Sequence, residues 1–457
     1  MNNMKKENAP DCREKRRKAA LHNLGCKVNA YELEAIQQLL EQKGYEIVPF
    51  APGADVYIVN TCTVTNIADR KSRQMLHKAK KMNPEAVVVA CGCYVQAAGG
   101  KLEDDASIDL IVGNNKKKEI PEILEEYFRQ REQGRAAAGT WLTDMTHNRE
   151  YETLSISRTE EHTRAFLKVQ DGCNQFCTYC IIPYARGRVR SRRPEEVLEE
   201  VRRLAASGCR EIVLTGIHLS SYGVDLEEGQ SLLSLIRTVH PVEGIERIRL
   251  GSLEPGIITE EFASAIAALP KVCPHFHLSL QSGCDTVLQR MNRRYSAGEY
   301  LEKCRLLRQV YDRPALTTDV IVGFPGETEE EFEQSRAFVE QAAFFETHIF
   351  KYSRREGTRA AAMPCQVSEQ EKTRRSHILL ELDAQRKREY MESFLGEEKE
   401  VLFEEKVRLE GKEFWAGHTR EYLKIFVPAD GEDYENRMAK AALEQVSSGE
   451  GIMGRLL

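Results

Sequence analysis

Three cysteines lie close together in the segment DGCNQFCTYC, residues 171–180. Cys173, Cys177 and Cys180 have the spacing C-x3-C-x2-C, which is typical of metal ligands in a chain that keeps its thiols reduced. A closed zinc site needs four ligands, yet no Cys or His follows Cys180 until Cys209. Iron–sulfur clusters also have four cysteine ligands as a rule, so three would leave one iron open to an exogenous ligand. The segment therefore indicates a metal site with an open, catalytic position; a zinc site is the alternative.

Three further cysteines lie near the N-terminus, in the segments LGCKVN, VNTCTV and CGCYVQ. Cys26, Cys62 and Cys93 stand at or just beyond the carboxyl ends of three predicted strands. Because ligands gather at that edge of an open parallel sheet, we expect these cysteines to converge. Cys91 precedes Cys93 by two residues, and in an extended strand both would point to the same side, so geometry alone does not choose between them. The remaining cysteines are predicted to be core or surface residues: Cys12, Cys209, Cys273, Cys284, Cys304 and Cys365.

The elements that position these cysteines follow an α/β pattern. Apolar strands alternate with helices over 18–135, which predicts a Rossmann-like parallel α/β domain. Residues 131–160 are polar and suit an interdomain linker. A repeated βα pattern over 155–390 predicts a full or partial (βα) barrel. Short alternating strands over 393–457 predict a small C-terminal β-barrel.

The composition is that of a soluble globular protein. The chain has 457 residues, of which 41% are hydrophobic and 30% charged, and a formal net charge of −6. Overall charge thus gives no support for nucleic-acid binding, which would need a local basic patch. The N-terminus lacks the apolar segment of a secretory signal, and no apolar run is long enough to span a membrane. Thirteen cysteines without a disulfide framework predict a cytoplasmic protein, and we take it as a monomer.

The C-x3-C-x2-C motif just after the first strand of a βα barrel resembles the radical S-adenosylmethionine (SAM) superfamily. The resemblance implies a [4Fe–4S] cluster whose open iron binds the amino and carboxylate groups of SAM. Reduction of that cluster then cleaves SAM to a 5′-deoxyadenosyl radical. Tyr179 stands where the superfamily packs a side chain near the adenine of SAM. Thr215 and Gly216, in VLTGIH, match the turn that contacts the SAM amine.

Two other segments of the central region suit a bound ligand. In DVIVGFPGET, Gly323 and Gly326 would let a ligand approach the backbone closely, and Thr328 with Glu331 would form a capping box. The alternative is a well-capped turn without a ligand. Five arginines fall within residues 186–193. They would bind phosphate or the SAM carboxylate, or else form a solvated charged face.

With the N-terminal cysteines included, residues 19–457 resemble the methylthiotransferase family. Further matching segments are IIPYARGRVRSR, HLSLQSGCD and a C-terminal region similar to a TRAM domain, a small RNA-binding barrel. The resemblance implies that Cys26, Cys62 and Cys93 hold a second [4Fe–4S] cluster, which carries the sulfur to be inserted. Its motif G-C-Y-x-Q matches at Cys93, with Val95 in place of the usual Ala.

The motif GCKVN is similar to the subfamily that acts on threonylcarbamoyladenosine in tRNA. The implied reaction places a methylthio group on C2 of N6-threonylcarbamoyladenosine at position 37 of tRNAs that read codons beginning with A. One SAM would methylate sulfur at the second cluster, and another would be cleaved at the first. The alternatives within the family are isopentenyladenosine in tRNA and an aspartate of a ribosomal protein. An alternative outside it is a zinc-stabilised RNA-binding protein without redox chemistry.

The implied partners are tRNA, SAM and a reductant protein such as flavodoxin or ferredoxin. Arg420, Tyr422 and Lys424 are spaced by two, which predicts one basic and aromatic strand face for RNA. The alternative is an ordinary exposed strand. A second basic segment, residues 71–81, is predicted to be helical.

Overall fold

The structure is a computed structural model that describes residues 16–135, 138–159, 163–447 and 450–457. Its first part is an N-terminal α/β domain. The strands are β1 (Lys18–Asn23), β2 (Glu46–Ile47), β3 (Val56–Thr61), β4 (Val87–Gly92), β5 (Leu110–Val112) and β6 (Gly139–Trp141). The helices are α1 (Lys27–Gln42), α2 (Asn66–Met82), α3 (Cys93–Ala98) and α4 (Ile120–Glu132). All six strands run parallel in the order β2-β1-β3-β4-β5-β6.

Helices cover both faces of this first sheet. Val56 and Ile58 of β3 pack in one buried cluster, whereas Tyr57 and Val59 pack in a second. Because successive strand residues point to opposite faces, a strand buried on both sides is apolar throughout. The predicted Rossmann-like arrangement is confirmed. Its last strand, β6, lies beyond the predicted end of the domain at residue 135, since it continues the sheet edge beside β5.

The central domain contains seven strands and eight helices within the described residues. The strands are β7 (Arg164–Asp171), β8 (Arg190–Ser191), β9 (Glu211–Gly216), β10 (Arg247–Leu250), β11 (His275–His277), β12 (Ala315–Val322) and β13 (Glu346–Lys351). The helices are α5 (Ile182–Arg186), α6 (Pro194–Ala206), α7 (Leu232–Val239), α8 (Glu260–Ala267), α9 (Asp285–Arg290), α10 (Ala297–Val310), α11 (Glu329–Ala342) and α12 (Glu369–Glu392). The predicted capping box of Thr328 and Glu331 begins α11.

The parallel strands of this domain form an open barrel. One sheet has the order β10-β9-β7-β8 and the other the order β11-β12-β13. Parallel bridges from Ile248 to Val272 and from Leu253 to Leu278 join the two. In the part of the chain that the structure describes, β13 pairs only with β12, so the barrel is partial. Of the two predicted alternatives, the partial (βα) barrel is therefore correct.

Alternation along the strands gives the barrel an apolar outer face and a polar inner face. On β10, Ile248 and Leu250 pack in the main core, whereas Arg247 and Arg249 point the other way. The helices match the outer face: Val197 of α6, with residues four and seven positions later, belongs to the same core. Buried charged groups therefore line the inside of the barrel.

The C-terminal region forms a closed five-stranded barrel, as predicted. Its strands are β14 (Glu398–Leu409), β15 (Lys412–His418), β16 (Lys424–Pro428), β17 (Met438–Val446) and β18 (Ile452–Leu456). They close in the order β14-β15-β16-β18-β17. Closure leaves no free strand edge. Among the described residues no helix is long and apolar enough to cross a membrane.

This C-terminal barrel caps the amino ends of the central strands. Arg247 donates hydrogen bonds to the carbonyls of His418 and Glu400, at 2.7 and 3.0 Å. Arg249 donates to the carbonyls of Thr419 and Arg420, at 2.7 and 2.9 Å. Charged donors inside one domain thus bind backbone acceptors of the other, and the contact is buried.

The three residues predicted to bind RNA do not share a strand face. β16 begins at Lys424, so Arg420 and Tyr422 lie in the turn before it. The ring of Tyr422 stacks on His275, with 4.3 Å between centroids, and the guanidinium of Arg249 lies 4.8 Å from the same ring. The predicted strand face is therefore wrong, because two of its members hold the C-terminal barrel against the central domain.

We predict that Arg249→Met destabilises the protein by about 3 kcal/mol, because it leaves buried Glu211 short of a partner 2.8 Å away and two carbonyls without donors. Thermal unfolding of the anaerobic protein measures the effect. Arg237→Met is the control, since that side chain is exposed on α7 and its loss should cost less than about 0.5 kcal/mol. Equal unfolding midpoints for the two variants would contradict the prediction.

Candidate functional site

The loop of the C-x3-C-x2-C motif begins at the carboxyl end of β7. Gly172 follows the strand with φ of +71°, and a Cβ at this position would collide with the backbone carbonyl of Arg188. Only glycine therefore fits immediately before the motif. The loop then carries the three half-buried cysteines, Cys173, Cys177 and Cys180.

The sulfur separations of both cysteine sets differ from those of a zinc site. Tetrahedral zinc with Zn–S bonds of about 2.3 Å would bring its sulfurs to about 3.8 Å from one another. In the described part of the chain, neither Cys173, Cys177 and Cys180 nor the N-terminal cysteines belong to a group of three ligand atoms within 4.8 Å of one another. The sulfurs of neither set therefore lie at the separations that a single zinc ion would impose.

The thiols also need a metal to ionise. Burial raises the pKa of the Cys173 thiol to about 11 and that of Cys180 to about 12. At neutral pH both would keep their protons unless bound iron displaced them. Because the loop supplies three thiols where a four-iron cluster has four ligand positions, this donor set fits an iron–sulfur cluster with one iron left open.

A largely buried arginine approaches this loop from the connection between α9 and α10. Arg293 lies 3.3 Å from the Cys177 sulfur through Nη1 and donates to Glu254 at 3.0 Å through Nη2. Glu254 also lies 3.3 Å from His218. Burial raises the pKa of Glu254, but the His218 hydrogen bond and the Arg293 charge outweigh it and hold that pKa below its ordinary value. Sequence reasoning missed Arg293, because it lies in none of the cysteine motifs.

The residues predicted to contact SAM gather at the same end of the barrel. Tyr179 packs edge-on against Phe324, with ring centroids 6.5 Å apart. Thr215 and Gly216 end β9, and a Cβ at Gly216 would lie 2.7 Å from the amide oxygen of Gln170. Close packing on β7 thus requires a glycine at this position.

Gly323 has a different role from the one predicted. Its φ is +70°, but the space beside its Cα is filled by the side chain of Lys372 from α12. Its N–H donates to Glu327 at 2.5 Å and is not free for a ligand. The glycine admits a neighbouring side chain, and the predicted close approach of a ligand does not find room there.

The N-terminal cysteines converge at the carboxyl edge of the first sheet. Cys26 is the N-cap of α1, Cys62 follows β3, and Cys93 begins α3 directly after β4. A Cβ at Gly25 would lie 3.0 Å from the Cys62 sulfur, so the first loop touches the second. Burial is the main cause that raises the pKa of the Cys62 thiol to about 11, and the neighbouring Cys93 and Cys26 thiols act in the same direction.

The structure also separates Cys93 from Cys91. β4 ends at Gly92, whose φ is +97°, so Cys93 is not in the same extended strand and the two side chains do not share one face. Cys91 packs in the apolar core, with its sulfur 3.7 Å from the Val59 carbonyl. The sulfur of Cys93 instead accepts a hydrogen bond from Arg186 at 3.0 Å. This placement favours Cys93 as the third ligand.

Arg186 belongs to a buried network of charges between the two α/β domains. Its guanidinium donates to Glu32 of α1 at 2.8 Å and to Asp171 at 3.2 Å. Lys117 and Lys168 bind the same Glu32 at 2.7 and 2.8 Å. Burial disfavours every charge here, but the cations outweigh it and hold the pKa values of Glu32 and Asp171 below their ordinary range. Arg190 also lies 3.6 Å from Asp171, so four cations surround these two carboxylates.

The run of arginines at 186–193 is mostly internal. Arg186, Arg190 and Arg192 are buried, and Arg192 pairs with Glu200. The alternative of a solvated charged face is therefore wrong for three of the five, because each of these side chains makes an interior contact. The other cysteines fit their prediction: Cys209, Cys273, Cys284 and Cys304 are buried and Cys365 is exposed, while Cys12 lies outside the described residues.

Comparison with known proteins agrees with this geometry. Residues 167–339 match the radical SAM superfamily, and residues 18–113 match an uncharacterized protein family, UPF0004. Threonylcarbamoyladenosine tRNA methylthiotransferase MtaB of Bacillus subtilis (strain 168) is 41% identical over 407 residues, 89% of each chain. The protein of that name from Aquifex aeolicus (strain VF5) is 42% identical over 86% of this chain and 94% of its own.

The chain belongs to the radical SAM methylthiotransferase family. A tRNA-2-methylthio-N(6)-dimethylallyladenosine synthase of Carboxydothermus hydrogenoformans is 35% identical over 92% of this chain and 95% of its own. A solved radical SAM methyltransferase, TsrM from Kitasatospora setae, matches 76% of this chain and 77% of its own with a TM-score of 0.56. At 19% identity this likeness shows the fold alone. The predicted family and enzyme class are confirmed, and the superfamily implies SAM and a [4Fe–4S] cluster.

We predict that Cys93→Ala lowers the iron content of the anaerobically reconstituted methylthiotransferase from about eight atoms per chain to about four. Cys91→Ala should keep about eight, because the Cys91 sulfur faces the apolar core. Iron and sulfide analysis measures both. Loss of iron from Cys91→Ala alone would assign the ligand to Cys91.

Arg293→Met should make the midpoint potential of the Cys173, Cys177 and Cys180 cluster more negative. The reduced cluster carries an extra negative charge, so Arg293 stabilises it more than it stabilises the oxidised cluster. A charge-assisted hydrogen bond is worth about 1.5–3 kcal/mol in total, which sets an upper limit of about 60–130 mV on the shift for one electron. A redox titration followed by electron paramagnetic resonance measures the shift, which Arg293→Lys should largely reverse. Arg290→Met is the control, since Arg290 pairs with Glu331. Identical potentials for both methionine variants would contradict the assignment.

Proposed function

We propose that this methylthiotransferase modifies C2 of N6-threonylcarbamoyladenosine at position 37 of tRNAs that read codons beginning with A. The observation that carries this substrate is the identity of 41% and 42% to two relatives named for that nucleoside, against 35% to one named for dimethylallyladenosine. The motif GCKVN around Cys26 supports the same choice.

The contact between the two cysteine sets supports a two-cluster reaction. Arg186 bridges Cys93 of the N-terminal domain and Asp171, two residues before Cys173. We assign Cys173, Cys177 and Cys180 to one [4Fe–4S] cluster and Cys26, Cys62 and Cys93 to a second. When bound, the clusters and SAM supply the electron, the adenosyl radical that removes the C2 hydrogen, and the methylthio group. Arg186 holds the two loops at a fixed separation, and Tyr179 with Thr215 and Gly216 holds SAM.

The tRNA contact falls to the N-terminal domain. Arg420 and Tyr422 are engaged between domains, which leaves the half-buried Lys424 as the member of the predicted set outside that contact. Helix α2 directly follows the Cys62 loop and exposes a row of basic side chains: Arg70, Lys71, Lys78 and Lys81. A row of cations that starts beside the Cys62 loop would bind the phosphates of an anticodon arm despite the negative net charge. A reductant such as flavodoxin or ferredoxin, a monomeric state and a cytoplasmic location complete the proposal.

Nucleoside mass spectrometry of tRNA tests the function. We predict that the reconstituted enzyme, SAM, a reductant and tRNA lacking methylthio groups yield 2-methylthio-threonylcarbamoyladenosine. Cys177→Ala should abolish the product, because it removes a ligand of the radical cluster. Cys365→Ala should leave it unchanged, because that thiol is exposed and outside both cysteine sets.

Other products would change the assignment in defined ways. A methylthio group on isopentenyladenosine would keep the chemistry and replace the substrate. No modified nucleoside, with both clusters intact, would direct the search to a protein substrate.

A further inference from the structure

The inner face of β11, β12 and β13 carries polar groups that the proposed function leaves without a role. Thr318 and Val320 of β12 point outward, to Tyr300 of α10 and to the main core. Their neighbours point inward, and Asp319 pairs in register with His348 on β13. We use "polar layer" for the inward group His277, Thr317, Asp319 and His348.

Hydrogen bonds orient the side chains of the polar layer but do not use all of its donors and acceptors. His277 Nε2 lies 3.3 Å from an Asp319 carboxylate oxygen, and His277 Nδ1 lies 3.0 Å from the Thr317 hydroxyl. The His348 ring stacks on His277, with centroids 5.6 Å apart. His348 is exposed, and its ring nitrogens have no hydrogen-bond partner among the residues that the structure describes. The layer therefore offers a ligand both a donor and a carboxylate acceptor.

An apolar pair of side chains follows the polar layer on the side nearer the cysteines. Ile321 and Phe350 are the next inward pair in register, about 6.6 Å further along the strands at about 3.3 Å per residue. Phe350 is 46% exposed, and Ile321 packs against the same apolar cluster as Tyr179. An aromatic face at this height offers a stacking surface for a base.

The N-terminal domain contacts the barrel just beyond this apolar pair, at the carboxyl end of β13. The backbone N–H of Asn66 donates to the Ser353 hydroxyl at 3.0 Å, and Arg355 donates to the Thr63 hydroxyl at 2.6 Å. Thr63 follows Cys62 directly, so the second cysteine set lies beside the carboxyl end of β13. A base on Phe350 would thus lie between the two cysteine sets.

We propose that the polar layer binds the hydrophilic N6 substituent of the substrate nucleoside while Phe350 stacks on its base. This inference rests on the proposed function and deepens it. A threonylcarbamoyl group presents urea N–H donors, a hydroxyl and a carboxylate, which match Asp319 and the imidazole of His348. An isopentenyl group would leave these polar groups without partners, and sites built to bind polar atoms discriminate strongly against such analogues. The polar layer is therefore the specificity determinant between the two nucleosides.

Binding measurements test the proposal without relying on turnover. The cluster-loaded enzyme with SAM is titrated with a tRNA carrying threonylcarbamoyladenosine at position 37 and with the same tRNA carrying plain adenosine. His348→Leu should weaken binding of the first tRNA about 10- to 100-fold and leave binding of the second unchanged. His348→Gln should restore part of the loss, because its amide can donate. His377→Leu, an exposed histidine on α12, is the control and should affect neither.

The remaining outcomes overturn the inference in distinguishable ways. If His348→Leu weakens the binding of both tRNAs equally, His348 is a general RNA contact. If His348→Leu does not weaken tRNA binding and the wild-type enzyme still methylthiolates threonylcarbamoyladenosine, the role of the polar layer is refuted and the proposed function stands. If the wild-type enzyme neither prefers nor modifies threonylcarbamoyladenosine, both the role of the polar layer and the proposed function are refuted. His277, Asp319 and His348 also have ligand atoms within 4.8 Å of one another. If the enzyme holds one equivalent of metal beyond the cluster iron and His348→Leu loses it, the ligand of the polar layer is a divalent cation and not the nucleoside.

Discussion

A guanidinium buried between two domains requires carboxylates on both sides, and Arg186 meets this requirement with Glu32 from one domain and Asp171 from the other. Removing one partner of such a network leaves an uncompensated charge in a medium that solvates it poorly. The two domains are therefore fixed in one orientation. Because the same guanidinium reaches the Cys93 sulfur, that orientation also fixes the two cysteine sets relative to each other. The geometry of the reaction centre thus depends on an interior salt-bridge network.

The barrel is closed at one end and open at the other for related reasons. Its inner face carries charged groups, and at the amino ends of the strands these are satisfied by backbone carbonyls of the C-terminal barrel. At the carboxyl ends they surround the cysteines instead. Between them, the inner face changes from the polar pair Asp319 and His348 to the apolar pair Ile321 and Phe350. A substrate can therefore contact a polar pair and an apolar pair at successive positions along the same two strands.

The sequence predicted what depends on local pattern and failed where distant residues decide. Strand alternation and the positions of Cys26, Cys62 and Cys93 after strands follow from short-range periodicity. The roles of Arg186 and Arg293 do not, because their partners Glu32 and Cys177 lie 154 and 116 residues away. Tyr422 fits a strand pattern by spacing, yet it lies in a turn and its ring stacks on His275 of the other domain. Buried charges were the recurrent failure, since their position depends on partners that no local pattern reveals.

The cap formed by the C-terminal barrel also constrains how the chain is made. Arg247 and Arg249 find their acceptors 153 to 171 residues further along the chain. Until those residues have been synthesised and have folded, the inside of the barrel holds hydrated arginines and has no cap. The central domain therefore cannot reach its final state before the C-terminal barrel has formed.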